Sequence, residues 1–138
     1  MSSPTTLQEA WVLQEVIELH QFFEDWFQGN IDPDPERFVS VMAGDFVLIP
    51  PEGHQVSRHE IIDLIKKGFS SRSDSKIWVE NIETRIIGEI VIATYHEVQA
   101  GLDQPTRRIS SAVFSYKAKL PNHCQWHHVH ETWVVTDK

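Results

Sequence analysis

Residues 126–133, read as WHHVHETW, hold three histidines and one glutamate between two tryptophans. Side chains of these types could ligate a metal, exchange protons as an acid–base pair, or serve as ordinary residues of a strand. Their adjacency in the sequence does not distinguish these possibilities. The element that carries them decides which side chains meet.

Alternation along a strand would divide this segment between two opposite faces. One face would carry His127, Val129, Glu131 and Trp133, and the other Trp126, His128, His130 and Thr132. A zinc site needs three or four converging ligands, and neither face offers more than two. We therefore expect no metal site, although a bulge of one residue would exchange the two faces.

The first half of the chain is predicted to be mainly helical. Thr6 with Glu9 fits a capping box and Gly29 a helix end, so the first helix should lie between them. DPDPERFVSVM predicts a short second helix, and DFVLIPPEG a strand that ends in a turn. Ser57 with Glu60 forms a second capping box before a third helix.

From Lys76 onward the hydrophobic period changes to two, which is typical of strands. Four such runs follow: KIWVENIETRII, EIVIATYHEVQA, RRISSAVFSYKA and CQWHHVHETWVV. They are separated by Gly88 and by the short turn signals GLDQP and LPNH. The prediction is one α+β domain over residues 1–138, with helices on one face of a curved, mostly antiparallel sheet that ends in a four-strand meander.

Charge and composition narrow the classes of partner. The formal net charge of −8 opposes nucleic acid and anionic lipid. No apolar run approaches the roughly 18 residues that span a bilayer, and MSSPTTLQEAW does not resemble a signal peptide. We therefore expect a cytoplasmic protein with no nucleic-acid or membrane partner. The single Cys124 cannot form an intrachain disulfide.

Two parts of the chain resemble a known superfamily. MAGDFVLIPPEGHQVSRHEIIDLIKKGF is similar to the strand, turn and helix of SnoaL-like proteins. IGEIVIATYHEVQ, RRISSAVF and WHHVHETW resemble the sheet of the calcium/calmodulin-dependent kinase association domain, whose last strand carries a similar signature at Trp126, Val129 and His130. Both belong to the nuclear transport factor two-like, or cystatin-like cone, superfamily. The resemblance implies a conical fold with a pocket between the concave face of the sheet and the first helix, and a dimer formed through the other face.

The resemblance also suggests which side chains line that pocket, and two departures from the relatives. The predicted lining is Tyr95, Glu97, Ser110, Ala112, Phe114, His127, Glu131 and Trp133, capped by His20. Arginines of the association-domain pocket align with Glu97, Ala112 and Trp133, which predicts a neutral or acidic cavity here. The carboxylate base of steroid isomerases aligns with Pro50, which cannot move a proton.

Two functions remain open at this point. The first is a homodimeric domain that binds a small apolar or polar-aromatic molecule, with a lyase, isomerase or cyclase activity as one form of it. The predicted catalytic residues are Glu97, Glu131 and His127, and the predicted ligand-binding residues are His20, Tyr95, Ser110, Phe114 and Trp133. The second is a non-catalytic association module. The dimer contacts would come from Trp126, His128, His130 and His96. No cofactor motif is recognised, so no cofactor is expected.

Overall fold

A computed structural model describes residues 6–101 and 103–135 of the chain. The helices are α1 (Leu7–Gln28), α2 (Glu36–Val39) and α3 (Arg58–Lys67). The strands are β1 (Met42–Ile49), β2 (Val56–Ser57), β3 (Lys76–Ile87), β4 (Ile90–Ala100), β5 (Thr106–Tyr116) and β6 (Cys124–Trp133), with a 3₁₀ turn at Pro121–His123. Leu102 of the predicted GLDQP turn, and residues 1–5 of the stretch compared with a signal peptide, lie outside the described residues.

The first helix begins and ends where its capping residues predict. The Glu9 backbone N–H donates to Thr6 Oγ1 over 3.1 Å, which satisfies one of the free donors of the first turn. Gly29 ends the helix with φ of 76°, a left-handed conformation that favours glycine. The boundaries of α1 are therefore local consequences of the sequence.

The third helix is also capped as predicted, whereas the second is shorter. Glu60 N donates to Ser57 Oγ and Ser57 N donates to Glu60 Oε1, at 3.2 and 2.9 Å, which completes the capping box. The predicted second helix is one turn only, because β1 already begins at Met42.

All six strands in the described residues form one sheet, in the order β2-β1-β6-β5-β4-β3. The last four pair as the predicted antiparallel meander. β1 pairs in parallel with β6, for example Leu48 with Val129, and this long-range pairing was not evident in the sequence. The predicted α+β fold is confirmed.

A bulge in β6 changes the predicted faces of Trp126 and His127. Val113 pairs with His128, but the next residue, Phe114, pairs with Trp126, so His127 has no partner opposite it on β5. Two residues of β6 therefore oppose one residue of β5, and side-chain alternation shifts by one at this point.

The helices cover one face of the sheet. Ala93 of β4 and Ala112 of β5 are directly paired and fully buried, and their short side chains leave room for Val12 and Val16 of α1 in the same hydrophobic cluster. The core therefore lies between α1 and the inner face of the sheet.

Candidate ligand-binding and acid–base site

Two neighbouring rows of inward side chains cross β4, β5 and β6. The first row is Glu97, Arg108 and Trp133, and the second is Tyr95, Ser110 and Glu131. Directly opposed side chains on paired strands have their Cβ atoms about 4.5–5.5 Å apart, so ionisable groups distant in the sequence become neighbours.

His20 of α1 contacts the first row. Its Nδ1 lies 2.7 Å from the carbonyl oxygen of Val16, and its Nε2 lies 3.0 Å from Glu97 Oε1. A carbonyl oxygen only accepts, so Nδ1 must carry a proton. The contact between Nε2 and Oε1 then needs a second proton, held by one of the two side chains. The pair has no net charge in either case.

Attraction between His20 and Glu97 outweighs the cost of burying them. Burial raises the pKa of Glu97, but the charge and hydrogen bond of His20, with help from Arg108 and Gln99, lower it to about 2. Burial lowers the pKa of His20, but Glu97 more than offsets this and raises it. Near neutral pH the pair is therefore a buried imidazolium and carboxylate.

The pKa of Glu131 is displaced in the opposite direction from that of Glu97. Its Oε1 accepts from Arg108 Nη1 over 3.1 Å, and its Oε2 is 3.4 Å from Ser110 Oγ. Burial, followed by the negative charge of Glu97, raises the pKa of Glu131 to about 7 against the opposing attraction of Arg108. Two nearby carboxyl groups with pKa values displaced in opposite directions are typical of sites that assign separate acid and base roles.

Tyr95 is a buried neutral neighbour of these groups. Burial, together with the charges of Glu97 and Glu131, raises the pKa of its hydroxyl well above the ordinary value. Its ring lies edge-on to the ring of His20, with centroids 5.3 Å apart. The hydroxyl therefore stays protonated.

A cavity of about 200 Å³ lies between this cluster and the helices. Its polar end is formed by His20, Tyr95, Glu97, Gln99, Arg108 and Glu131. Most of the remaining wall is apolar and includes Phe23, Phe27, Phe46, Ile61, Ile65 and Val129. An apolar cavity with a few convergent polar groups is the usual form of a small-molecule site.

A second, more polar hollow of about 410 Å³ is lined by Arg72 and Gln99, which also line the cavity. Arg72 is exposed, and its guanidinium carbon lies 4.2 Å from the centroid of the Phe27 ring. Serine, aspartate and glutamine side chains of the loops around it supply most of the other lining. The shared residues place this hollow beside the cavity.

The structure places four of the predicted pocket residues, His20, Tyr95, Glu97 and Glu131, in the cavity wall. Ser110, Ala112, Phe114 and Trp133 are not among the lining residues, and Ser110 is fully buried beside Glu131. Phe114 is buried behind Trp126, with ring centroids 4.4 Å apart. Trp133 is 41% exposed and covers the guanidinium of Arg108, 4.9 Å from its carbon.

Two predicted orientations in β6 are wrong because of the bulge. His127 does not line the cavity, and its Nε2 instead forms a 2.7 Å hydrogen bond with Ser115 Oγ. Trp126 was assigned to the outer face, but it is only 3% exposed and its Nε1 donates to Glu15 of α1 over 2.9 Å. His127 is therefore removed from the acid–base cluster, and Trp126 from the outer face.

The other predicted outer residues do lie away from the cavity. His130 is exposed and His128 is partly buried. Arg107 Nη1 lies 3.1 Å from His96 Nδ1 and its Nη2 is 2.9 Å from Glu80 Oε1. Because arginine only donates, His96 Nδ1 accepts and carries no proton.

The cavity lining contains two arginines that the prediction of a neutral or acidic cavity did not include. Arg108 lines the polar end, where it pairs with Glu131, and Arg72 lies among the remaining lining residues. Arg108 was visible in the sequence, because it alternates inward with Ser110, Ala112 and Phe114. Arg72 lies in the loop between α3 and β3, where no hydrophobic periodicity predicts which way a side chain points.

Comparison with known proteins gives the chain a family. Residues 12–135 match the family described as sucrose-6-phosphate phosphohydrolase C-terminal. The chain belongs to this family. A related protein is sucrose-phosphatase 2 of Nicotiana tabacum, which is 24% identical over 128 residues that make up 87% of this chain. The chain spans about 30% of the length of that relative.

Solved structures confirm the fold that the sequence resemblance implied. An NTF-2 like protein of unknown function from Pseudomonas aeruginosa has a TM-score of 0.82 at 19% identity, over 91% of this chain and 99% of that one. The CaMKII hub of S. rosetta has a TM-score of 0.76 at 15% identity, over 97% and 100%. At these identities the likeness shows a shared nuclear transport factor two-like fold.

Two further observations concern other kinds of site. Among residues 6–101 and 103–135, no helix has both the length and the hydropathy to cross a membrane. The same part of the chain contains no group of three His, Cys, Asp or Glu side chains placed to hold a metal ion.

Proposed function

We propose that this chain binds a small molecule in the cavity of the cone and that Glu131 exchanges a proton with it. The observation that carries the proposal is the polar end of an otherwise largely apolar cavity, where two buried carboxyl groups have pKa values displaced in opposite directions. Buried ionisable groups of this kind cluster at functional sites.

The two carboxyl groups would have different roles. Glu97 is held as a carboxylate by His20, so it would orient the ligand and maintain the charge of the site. Glu131, with its pKa raised to about 7, could give or take a proton near neutral pH, where a general acid or base works best. His20 replaces His127 as the histidine of the proposed site.

The size of the cavity restricts the ligand. Drug-sized molecules occupy pockets of roughly 300–1,000 Å³, and a disaccharide phosphate such as the tobacco relative's name suggests is of that size. The cavity of about 200 Å³ is smaller. We therefore assign it a ligand smaller than a disaccharide, with an apolar body.

A fragment screen against a cavity-filled variant tests the proposal. Ile65 lines the cavity, whereas the neighbouring Leu64 is 59% exposed on the same helix. Ile65→Phe should abolish the thermal stabilisation caused by cavity ligands, because the larger ring occupies their space, and Leu64→Phe should preserve it. Far-UV circular dichroism would verify that both variants fold. The proposal would be contradicted if no fragment stabilises the wild-type chain. It would also be contradicted if the fragments stabilise Ile65→Phe as much as the wild-type chain.

A second candidate function is association through the outer face of the sheet. None of the described helices covers this face, and Thr94, Ser111, His130 and Thr132 are exposed on it. Partly buried Ile92 and Val113 form a direct pair there. We propose that a second copy of the chain covers it, with His96, His128 and His130 at the contact. The likeness of the fold to a hub protein is compatible with this role.

A further inference from the structure

One buried donor at the polar end of the cavity has no partner. Arg108 Nε is buried and forms no hydrogen bond within the described residues. A buried donor without an acceptor has lost its hydrogen bonds to water without replacing them, so such groups are rare and need an explanation. Nη1 of the same guanidinium does have a partner, because it donates to Glu131.

The geometry of the guanidinium leaves one edge available. Glu131 occupies Nη1, and no hydrogen bond joins Nη2 to the described residues, so the edge formed by Nε and Nη2 is free. Planar guanidinium edges of this kind suit a carbonyl or carboxylate oxygen. Trp133 covers the guanidinium and is itself 41% exposed, so its side chain has room to move aside.

The charges around Arg108 decide between these two acceptors. Glu97 is paired with His20, and Glu131 is paired with Arg108, so the base of the cavity has no net charge when both carboxylates are ionised. A ligand carboxylate would bring an additional negative charge beside two buried carboxylates. Arg72 is exposed and its charge is screened by water, so it compensates little. A neutral acceptor avoids this cost.

The Glu131 carboxylate can accept a hydrogen bond from the same ligand. A carboxylate has about four acceptor positions, and the structure uses two of them, one for Arg108 and a long one for Ser110. Glu131 can therefore accept one more hydrogen bond from a ligand. The cavity combines an unpaired donor with a carboxylate that still has acceptor capacity.

We propose that the ligand is a small neutral molecule with an apolar body and a carboxamide-like end, whose carbonyl oxygen accepts from Arg108 and whose N–H donates to Glu131. This inference rests on the proposed binding function and specifies the chemical class of the ligand. The apolar body would lie against Phe23, Phe27 and Ile65.

Four probes with one phenyl body test the class: phenylacetamide, phenylacetate, phenethylamine and propylbenzene. Binding would be measured by titration calorimetry at about pH 8.5, where Glu131 is ionised because its pKa is about 7. Phenylacetamide should bind at least about tenfold more tightly than each of the others, the size of effect expected when one hydrogen bond to a charged group is lost.

Variants locate the interaction. Arg108→Gln and Arg108→Lys should each weaken phenylacetamide binding about tenfold, because both remove the planar edge. Arg107→Gln is the matched control, since Arg107 adjoins Arg108 but pairs with Glu80 outside the cavity, and it should leave binding unchanged. Glu131→Gln should invert the selectivity towards phenylacetate, because one negative charge is removed beside Arg108.

The outcomes separate the two proposals. Preference for phenylacetate or phenethylamine over phenylacetamide in the wild-type chain would overturn the carboxamide assignment and leave cavity binding supported. Equal loss of affinity in Arg107→Gln and Arg108→Gln would also overturn it. If the fragment screen finds cavity ligands but all of them lack a carbonyl acceptor, the assignment is again wrong. Failure of the screen itself contradicts the proposed function.

Discussion

At the scale of single residues, Glu97 and Glu131 show how partners control the chemistry of a side chain. Both are buried in adjacent rows of the same sheet face. Glu97 has an imidazolium 3.0 Å away, which lowers its pKa. Glu131 pairs with Arg108, but the nearby negative charge of Glu97 opposes its ionisation. The difference in pKa therefore arises from position and not from residue type.

Replacement of Glu131 should change how stability depends on pH. Its pKa rises from the ordinary 4.5 to about 7 on folding, so between these values the folded chain holds a proton that the unfolded chain has lost. This contribution is fully present below about pH 4.5 and is lost as the pH rises through about 7. Relative to Glu131→Gln, the wild-type free energy of unfolding should fall by up to about 3 kcal/mol across that window.

Urea unfolding of both proteins at intervals between about pH 5 and 8 measures this difference. Most other titrating groups are common to the two chains and cancel. A difference that stays constant, or that increases with pH, would contradict the raised pKa of Glu131.

At the scale of elements, hydrogen bonds to the side chain of Glu15 connect α1 with three other parts of the fold. Its side chain is fully buried and accepts from Arg37 of α2, from Trp126 of β6 and from Asn122 of the 3₁₀ turn. Without this carboxylate the indole N–H of Trp126, which is buried, would have no acceptor. This contact holds α1 over the sheet and so positions His20 above Glu97.

Glu15→Gln should destabilise the fold by about 2 kcal/mol, because it removes a fully buried carboxylate that pairs with the partly exposed Arg37 and accepts from Trp126. Glu18 is the matched control, since it lies one turn along the same helix and contacts Arg37 and Asn122, but its side chain is 44% exposed. Glu18→Gln should change stability by less than about 1 kcal/mol. Thermal and urea unfolding would measure both, and equal effects would contradict the role assigned to Glu15.

At the scale of the whole molecule, the two faces of the sheet differ in what covers them. α1 and α3 pack over the inner face, and the histidines of β4 and β6 lie on the outer one. If a second copy covers that face, positive charges placed at His128 and His130 would lie close to their counterparts in the other copy and repel them.

The proposed dimer should therefore dissociate when lysine replaces these histidines. Light scattering on dilute protein should show a dimer mass for the wild-type chain and a monomer mass for His128→Lys with His130→Lys. His59→Lys, at an exposed position of α3, should preserve the dimer. A monomer mass for the wild-type chain, or a dimer mass for the double variant, would count against the histidine contact.

The sequence by itself determined the features that depend on neighbouring residues. Capping by Thr6, Gly29 and Ser57 and the alternation from Lys76 onward specify the ends of α1, the start of α3 and the four-strand meander. These signals are local, because a cap or an alternating pattern acts within a few residues. That Tyr95, Glu97 and Ser110 would lie together was implied by the family resemblance and not by alternation alone.

Only the tertiary structure decided the parallel pairing of β1 with β6 and the bulge at His127. Strand register is set by contacts between distant segments, and an extra residue reverses the alternation before it relative to the alternation after it. That shift moved His127 out of the proposed site and Trp126 into the core. The packing of α1 on the sheet also decided that the histidine next to Glu97 is His20 and not a histidine of β6.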